Sequence, residues 1–248
     1  MTADHTPYLE LRGVSLVRDK VCLLTDVNFA VYPGTFHVVL GANGAGKTNL
    51  LRLLAGIYTP ETGDFYVQGE KCVLNPTLAA SRKIAFCGQE FELFDDLTVL
   101  DNFFIGYQSQ QSFWFSRKKL RVQLERFFAE YGLSFGLDWP ASRLKLAEKC
   151  QLQIARALFF EPSVLLVDEF EAVLNRSEIE QIFHALEHAR SRGCAVVLAT
   201  HTMSSALTHV DYVTALESGR ARTIPVASGA EPPELSALIR RNGYTNIP

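Results

Sequence analysis

The chain has 248 residues, 48% apolar and 21% charged, with 24 basic and 27 acidic side chains for a net charge of −3. That length and composition suit one large α/β domain with a substantial core and exclude a disordered chain. The near-balance of charge gives no electrostatic reason to expect nucleic acid as a partner.

In chain order, Tyr8–Val14 alternates apolar and polar residues and predicts a strand, as does Val27–Val31, and Tyr32-Pro33-Gly34 predicts a turn. Phe36–Leu40 is a compact apolar run of strand length that leads into Gly41-Ala42-Asn43-Gly44-Ala45-Gly46-Lys47-Thr48. Asn49–Ala55, carrying Leu50, Leu51, Leu53 and Leu54, predicts a helix stopped by Gly56. From Lys83 to about Trp139 the chain is aromatic-rich and mostly helical in period, Leu120–Tyr131 giving the clearest helix. Leu152–Phe159 predicts a second apolar helix closed by Pro162, and Ser163–Val167 a buried strand ending in Asp168-Glu169. Ser177–Ser191 predicts a helix with Ile179, Ile182, Phe183 and Leu186 on one face, and Cys194–Thr200 a buried strand ending at His201. Ser228–Pro233 is a Gly/Pro-rich break before a short tail helix. Strands alternating with helices imply a mainly parallel sheet.

The five cysteines, Cys22, Cys72, Cys87, Cys150 and Cys194, are scattered and form no Cys-x-x-Cys pair, a pattern of reduced thiols. The opening MTADHTPYLE shows no secretion signal, and apolar runs such as Ala195–Ala199 are too short to span a bilayer. If the chain works at a membrane, it is expected to do so as a peripheral subunit.

Gly41–Thr48 fits G-x-x-x-x-G-K-[ST] in the strand–loop–helix setting that this motif needs. Glycine lets the backbone curl so that N–H groups of Gly41, Asn43, Gly44, Ala45 and Gly46 can face phosphate, and the helix N-terminus adds its positive dipole. Lys47 is expected to neutralise the β/γ-phosphates and the Thr48 hydroxyl to ligate Mg²⁺. Such a loop needs an acid at the end of a neighbouring strand, and Val164–Asp168-Glu169 supplies one. Asp168 is the expected metal ligand, and Glu169 the group that orients or deprotonates the attacking water. A strand ending in carboxylates is weak evidence alone; the phosphate loop upstream gives it weight. His201 ends the next buried strand and is placed to hydrogen-bond the γ-phosphate. His184 and His188, four apart on a helix, could chelate a metal, but no third ligand is evident and a solvated face is the better reading.

These pieces, in this order, resemble the ATP-binding subunits of ABC transporters, and most closely the subfamily that powers bacterial uptake of ribose- and galactose-like sugars and of some nucleosides and vitamins. The resemblance runs from Leu9 to about Gly219. It is carried by Leu9-Glu-Leu-Arg-Gly-Val-Ser, Val31-Tyr-Pro-Gly34, Gly56-Ile-Tyr-Thr-Pro-Glu-Thr-Gly63 and Gln89-Glu-Phe-Glu-Leu-Phe-Asp-Asp-Leu-Thr-Val-Leu-Asp-Asn-Phe-Phe-Ile-Gly106. It implies a P-loop NTPase α/β fold of the ABC ATPase type: a mainly parallel sheet, an antiparallel β part and a helical subdomain at about residues 90–160. The ATP-binding domain would span 1–227, with a linker and short helix at 228–248. It further implies ATP and Mg²⁺ as ligands, Gln89 as a contact to Mg²⁺ or the attacking water that reports nucleotide state, and Arg18 at the position that stacks on adenine. Implied partners are membrane permease subunits, a second ABC ATPase subunit and, indirectly, a substrate-binding protein.

Three departures stand out. Leu144-Lys145-Leu146-Ala147-Glu148 replaces the family signature Leu-Ser-Gly-Gly-Gln, removing the hydroxyl and the glycines that let backbone approach a phosphate. Arg18 replaces an aromatic ring; its planar guanidinium can stack, though less reliably. Phe170 replaces the proline after the catalytic Glu, in a loop that continues Ala172-Val173-Leu174-Asn175 and ends in Asn where the family has Asp or Thr. Because two such subunits sandwich ATP between one P-loop and the other's signature, an intact P-loop with a degraded signature leads to the expectation of an asymmetric pair. The second half would be separately encoded, with an intact signature.

By the resemblance, Phe103-Phe104-Ile105-Gly106-Tyr107 and Phe113-Trp114-Phe115, ahead of Arg117-Lys118-Lys119, lie in the helical region that meets the permease; they read about evenly as that surface and as helical core, with the first cluster leaning to core. A rival function, an ABC ATPase acting on DNA, would place a long coiled coil between Thr48 and Asp168, where no sustained heptads occur. A second rival is a regulatory, degenerate-site subunit with little turnover of its own. A small GTPase would carry Asn-Lys-x-Asp, which is absent.

Overall fold

The computed structural model describes residues 6–108, 116–171, 174–201 and 210–226. They form two compact units. The first draws on Met1–Gly88, Glu161–Glu169 and Leu186–Pro248, the second on Gln89–Phe160 and Phe170–Ala185.

The first unit holds two sheets. Strands β1 (Leu9–Arg18), β2 (Val21–Val31), β4 (Thr62–Val67) and β5 (Glu70–Lys71) form an antiparallel sheet in the order β2-β1-β4-β5. The other sheet runs β10-β9-β3-β8-β7-β6, from β3 (Phe36–Leu40), β6 (Ile84–Cys87), β7 (Val164–Asp168), β8 (Ala195–Thr200), β9 (Tyr212–Glu217) and β10 (Arg220–Pro225). All its pairings are parallel except β9 with β10. Every residue of β3, β7 and β8 is buried, as expected of parallel strands covered on both faces. Helix α1 (Lys47–Leu54) packs Leu50, Leu51, Leu53 and Leu54 into one core with Leu11 and Phe29 of the antiparallel sheet and Leu166 and Val197 of the parallel one. A helix apolar on nearly all sides is stable only where apolar surface meets it on more than one side. Helix α2 (Pro76–Ser81) starts on Asn75, whose side chain accepts the Leu78 N–H at 2.9 Å, with proline at its first position.

The second unit is helical: α3 (Val99–Gln108), α4 (Arg117–Glu130), a 3₁₀ turn at Ala141–Arg143, α5 (Leu146–Phe159) and the opening turns of α6 (Arg176–Ser191). Its core gathers Leu100, Phe103, Leu124, Phe128 and Leu152. Phe103 is fully buried, with its ring 5.9 Å from Phe128 and edge-on to Phe159 at 5.5 Å, so of the aromatic cluster at 103–107 this ring is core. Buried Asn102 accepts the Phe94 N–H and donates to the Phe94 and Thr98 carbonyls, which pins the loop ahead of α3. Trp114 with its two flanking phenylalanines, and the break and tail helix at 228–248, lie outside the described residues.

The segment after Lys83, read as mostly helical, opens instead on the strand Ile84–Cys87. Four residues are too few to show a period of two, and their strand character comes from pairing with Val164–Val167. Strands β4, β9 and β10 and helix α2 were not foreseen. Helix α5 begins six residues before the expected Leu152.

One buried titratable group in this scaffold carries a prediction. His37 of β3 is fully buried, stacks on Phe29 with ring centres 4.5 Å apart, and has Nε2 2.7 Å from the Thr214 hydroxyl. Burial pushes its pKa from 6.5 down to about 3, against a smaller upward pull from the Ala30 backbone. The unfolded chain therefore binds one more proton than the folded chain between those values. Stability that is complete above pH 6.5 is lost as pH falls toward 3, at up to about 1.4 kcal/mol per pH unit. Urea unfolding of wild type and His37→Leu between pH 7 and pH 5 should show a shallower decline in the variant; parallel declines would refute the assignment.

Candidate nucleotide site

β3 ends at Leu40, and the chain curls through Gly41–Gly46 before α1 begins. Gly46, at the helix N-cap, has φ 107°, a left-handed conformation that strains any side chain. Crowding adds to this: a Cβ on Gly46 would lie 3.1 Å from the Leu23 carbonyl oxygen, and one on Gly41 only 2.7 Å from that of Leu216. The loop is closed by the Ala45 N–H donating to the Ala42 carbonyl at 3.1 Å and by the Leu50 N–H donating to Gly46 at 2.9 Å. Asn43 and Gly44 are exposed at its tip, and Thr48 is half-buried at the start of α1.

Lys47 is only 4% exposed. Its ammonium donates to the Gly41 carbonyl at 2.8 Å and the Ala42 carbonyl at 3.2 Å, and pairs with Glu169 Oε1 at 2.8 Å. Parallel register brings these groups to one edge: Leu40 pairs with Thr200, and Asp168 with Ala199. The loop, both acids and His201 thus leave the sheet at its C-terminal edge, where open α/β sheets bind ligands.

Asp168 is 1% exposed, and neither carboxylate oxygen has a partner of hydrogen-bonding geometry. Burial raises its carboxyl above the ordinary 3.8, and the charge of Glu169 adds to that. The Thr48 hydroxyl, Lys47 and Arg52 pull the other way. Two buried carboxylate oxygens beside a hydroxyl make a donor set suited to a hard divalent cation. Glu169 follows at φ 37°, unusual for a residue with a side chain, and its N–H donates to the Ala199 carbonyl at 3.1 Å. His201 Nδ1 stands 3.8 Å from the same Glu169 Oε1 that meets Lys47.

Arg18 ends β1 opposite Val21 across a two-residue turn in which Asp19 and Lys20 have φ 49° and 64°. Its guanidinium lies over the ring of Tyr58, 4.7 Å from the centroid, and Arg52 donates to the Tyr58 hydroxyl at 3.1 Å. The sequence reading missed Tyr58, since nothing in its local pattern marks it as a partner of residue 18. Gln89 is exposed, two residues beyond β6, and belongs to the second unit. His184 and His188 are both exposed on α6.

Within the second unit the departures acquire reasons. Lys145 is the N-cap of α5, and its N–H donates to Glu148 Oε2 at 2.7 Å. Leu146 is 50% exposed, where glycine would leave backbone open. Asn175 caps α6: its Oδ1 accepts the Glu178 N–H at 3.1 Å, while Glu178 Oε2 accepts the Asn175 N–H at 2.8 Å. Phe170 is buried against Phe183, ring centres 5.7 Å apart.

The ABC transporter family matches residues 24–172. Among curated relatives, the ribose import ATP-binding protein RbsA 2 of Escherichia coli O157:H7 is 32% identical over 88% of this chain and 43% of its own length. The arabinose import ATP-binding protein AraG of Yersinia pestis is 30% identical over 89% of this chain and 42% of its own length. The chain thus spans less than half the length of these relatives. Among solved structures, the ADP conformation of MJ1267, an ATP-binding cassette of an ABC transporter, superposes with a TM-score of 0.81 at 19% identity, covering 96% of each chain. MJ0796 in a post-hydrolysis state bound to ADP and Pi gives a TM-score of 0.78 at 22% identity, over 89% of this chain and 99% of its own. The chain belongs to the ABC transporter family.

Proposed function

We propose that this domain binds MgATP at Gly41–Thr48 and hydrolyses it to drive a small solute, a sugar, through membrane permease subunits. The observation behind this is the gathering of Lys47, Asp168, Glu169 and His201 at one sheet edge around the glycine loop. Lys47 and the loop N–H groups hold the phosphates. Thr48 and Asp168 would hold Mg²⁺, which would neutralise phosphate charge. Glu169 takes the proton of the attacking water, His201 orients on the γ-phosphate, and Arg18 supports the base. The sugar reading comes from the names of the ribose and arabinose relatives. The domain would act at the cytoplasmic membrane face as a peripheral subunit, with a substrate-binding protein upstream. Among the described residues no helix is long and apolar enough to cross a membrane. Uptake of labelled ribose or arabinose into vesicles containing the permease, this chain and internal ATP tests it; uptake that ignores ATP would contradict it.

The end of α5 favours an asymmetric assembly. Glu148 places a carboxylate on the helix N-terminus and Leu146 stands half-exposed there in place of glycine, so this end repels a phosphate that the usual Ser and glycines would hold. A different ATPase subunit with an intact signature would complete the site at Lys47, while the site served by Lys145–Glu148 would be slow. The chain alone should turn over ATP poorly, and the fourfold change Lys145→Ser, Leu146→Gly, Ala147→Gly, Glu148→Gln should raise its rate at least about tenfold. Brisk turnover by the unaltered chain alone would exclude the asymmetry and, with it, a regulatory role.

A further inference from the structure

The Lys47 ammonium, with three N–H donors, donates to the Gly41 and Ala42 carbonyls and forms an ion pair with Glu169 Oε1 at 2.8 Å. A phosphate that engages this ammonium competes with these three oxygens. The two carbonyls belong to the loop itself. Glu169 is the one acceptor that is both anionic and carried on a different strand end, where its backbone is held at φ 37°. We infer that Glu169 has a second role beside its part in hydrolysis: its carboxylate competes with nucleotide phosphate for Lys47 and so holds down the resting affinity of the site. The inference rests on the reading of Gly41–Thr48 as the phosphate site.

Several physical consequences follow. The pair is largely shielded from water, with Lys47 4% and Glu169 18% exposed, so breaking it leaves a buried ammonium without its counter-ion. Replacing the carboxylate with an amide has the same effect in the resting protein, and so destabilises it. A bound diphosphate restores the missing negative charge. The variant should then gain more from ligand than wild type does. Simple repulsion between Glu169 and phosphate would also raise affinity on substitution, but it gives the opposite result for the resting protein. Asp168 lies beside Glu169 and feels its charge, so relief of repulsion alone would leave the variant as stable or more stable.

The test uses ADP with EDTA, so that neither hydrolysis nor metal binding enters. Wild type, Glu169→Gln and Glu169→Ala are compared by calorimetric titration and by thermal unfolding with and without ADP. Both variants should bind ADP about tenfold more tightly, which is about 1.4 kcal/mol. Both should unfold at a lower temperature than wild type without ligand, and show a larger upward shift with it. Equal affinity for all three proteins would overturn the inference, as would tighter binding by a variant with unchanged or raised resting stability. If wild type itself takes up no ADP, the phosphate-site reading falls; if it binds and Glu169→Gln changes nothing, only the competition falls.

Discussion

In the assembled transporter, Glu169→Gln should lower ATP hydrolysis by about 10²–10⁴-fold while nucleotide binding persists. The expectation follows from placement. Glu169 leaves β7 one residue after the buried Asp168, and its carboxylate reaches both the P-loop lysine and the ring of His201. An amide of the same shape fills the same space but carries no charge and cannot take a proton from water. Steady-state phosphate release with saturating MgATP measures the effect, and retained binding distinguishes it from a folding defect. A variant hydrolysing ATP at the wild-type rate would assign the proton transfer to another group.

Lys47→Ala should have the largest effect on binding, weakening MgATP by about 100-fold or more. Charge-assisted hydrogen bonds to phosphate are lost, each worth about 1.5–3 kcal/mol. The substitution also leaves Asp168 and Glu169 as neighbouring acids without the cation that now offsets them. What had helped to hold phosphate would then repel it. Fluorescence competition against a labelled ADP measures the loss, with near-ultraviolet circular dichroism as the control for an intact core. An unchanged dissociation constant would place the phosphates elsewhere.

How much of this was legible in the sequence depends on burial and on locality. Phe36–Leu40, Val164–Val167 and Ala195–Thr200 were readable because strands buried on both faces are continuous apolar runs. Residues at the ends of such runs, Lys47, Thr48, Asp168, Glu169 and His201, were therefore readable as one site. Ile84–Cys87 was not, because its strand pairing lies some eighty residues away. The hairpin of β9 and β10 was hidden as well, since β10, Arg220–Pro225, is largely polar and exposed outside Ile224. The stacking of Arg18 on Tyr58 joins the tip of one hairpin to the loop after α1, and no local pattern encodes such a meeting. The pairing of Lys47 with Glu169 joins a loop to the end of a strand more than a hundred residues later, beyond the reach of any local pattern. In the signature region the sequence showed only losses. The replacement carboxylate cap from Glu148 to the Lys145 N–H needed coordinates.

Most directly decisive is a calorimetric titration of MgATP into the folded chain, alongside the same titration without magnesium. Saturable heat with one nucleotide per chain, tightened by magnesium through Asp168 and Thr48, is the expected result. Absence of saturable binding at millimolar ATP, from protein shown to be folded, would contradict the assignment of Gly41–Thr48 as a nucleotide site.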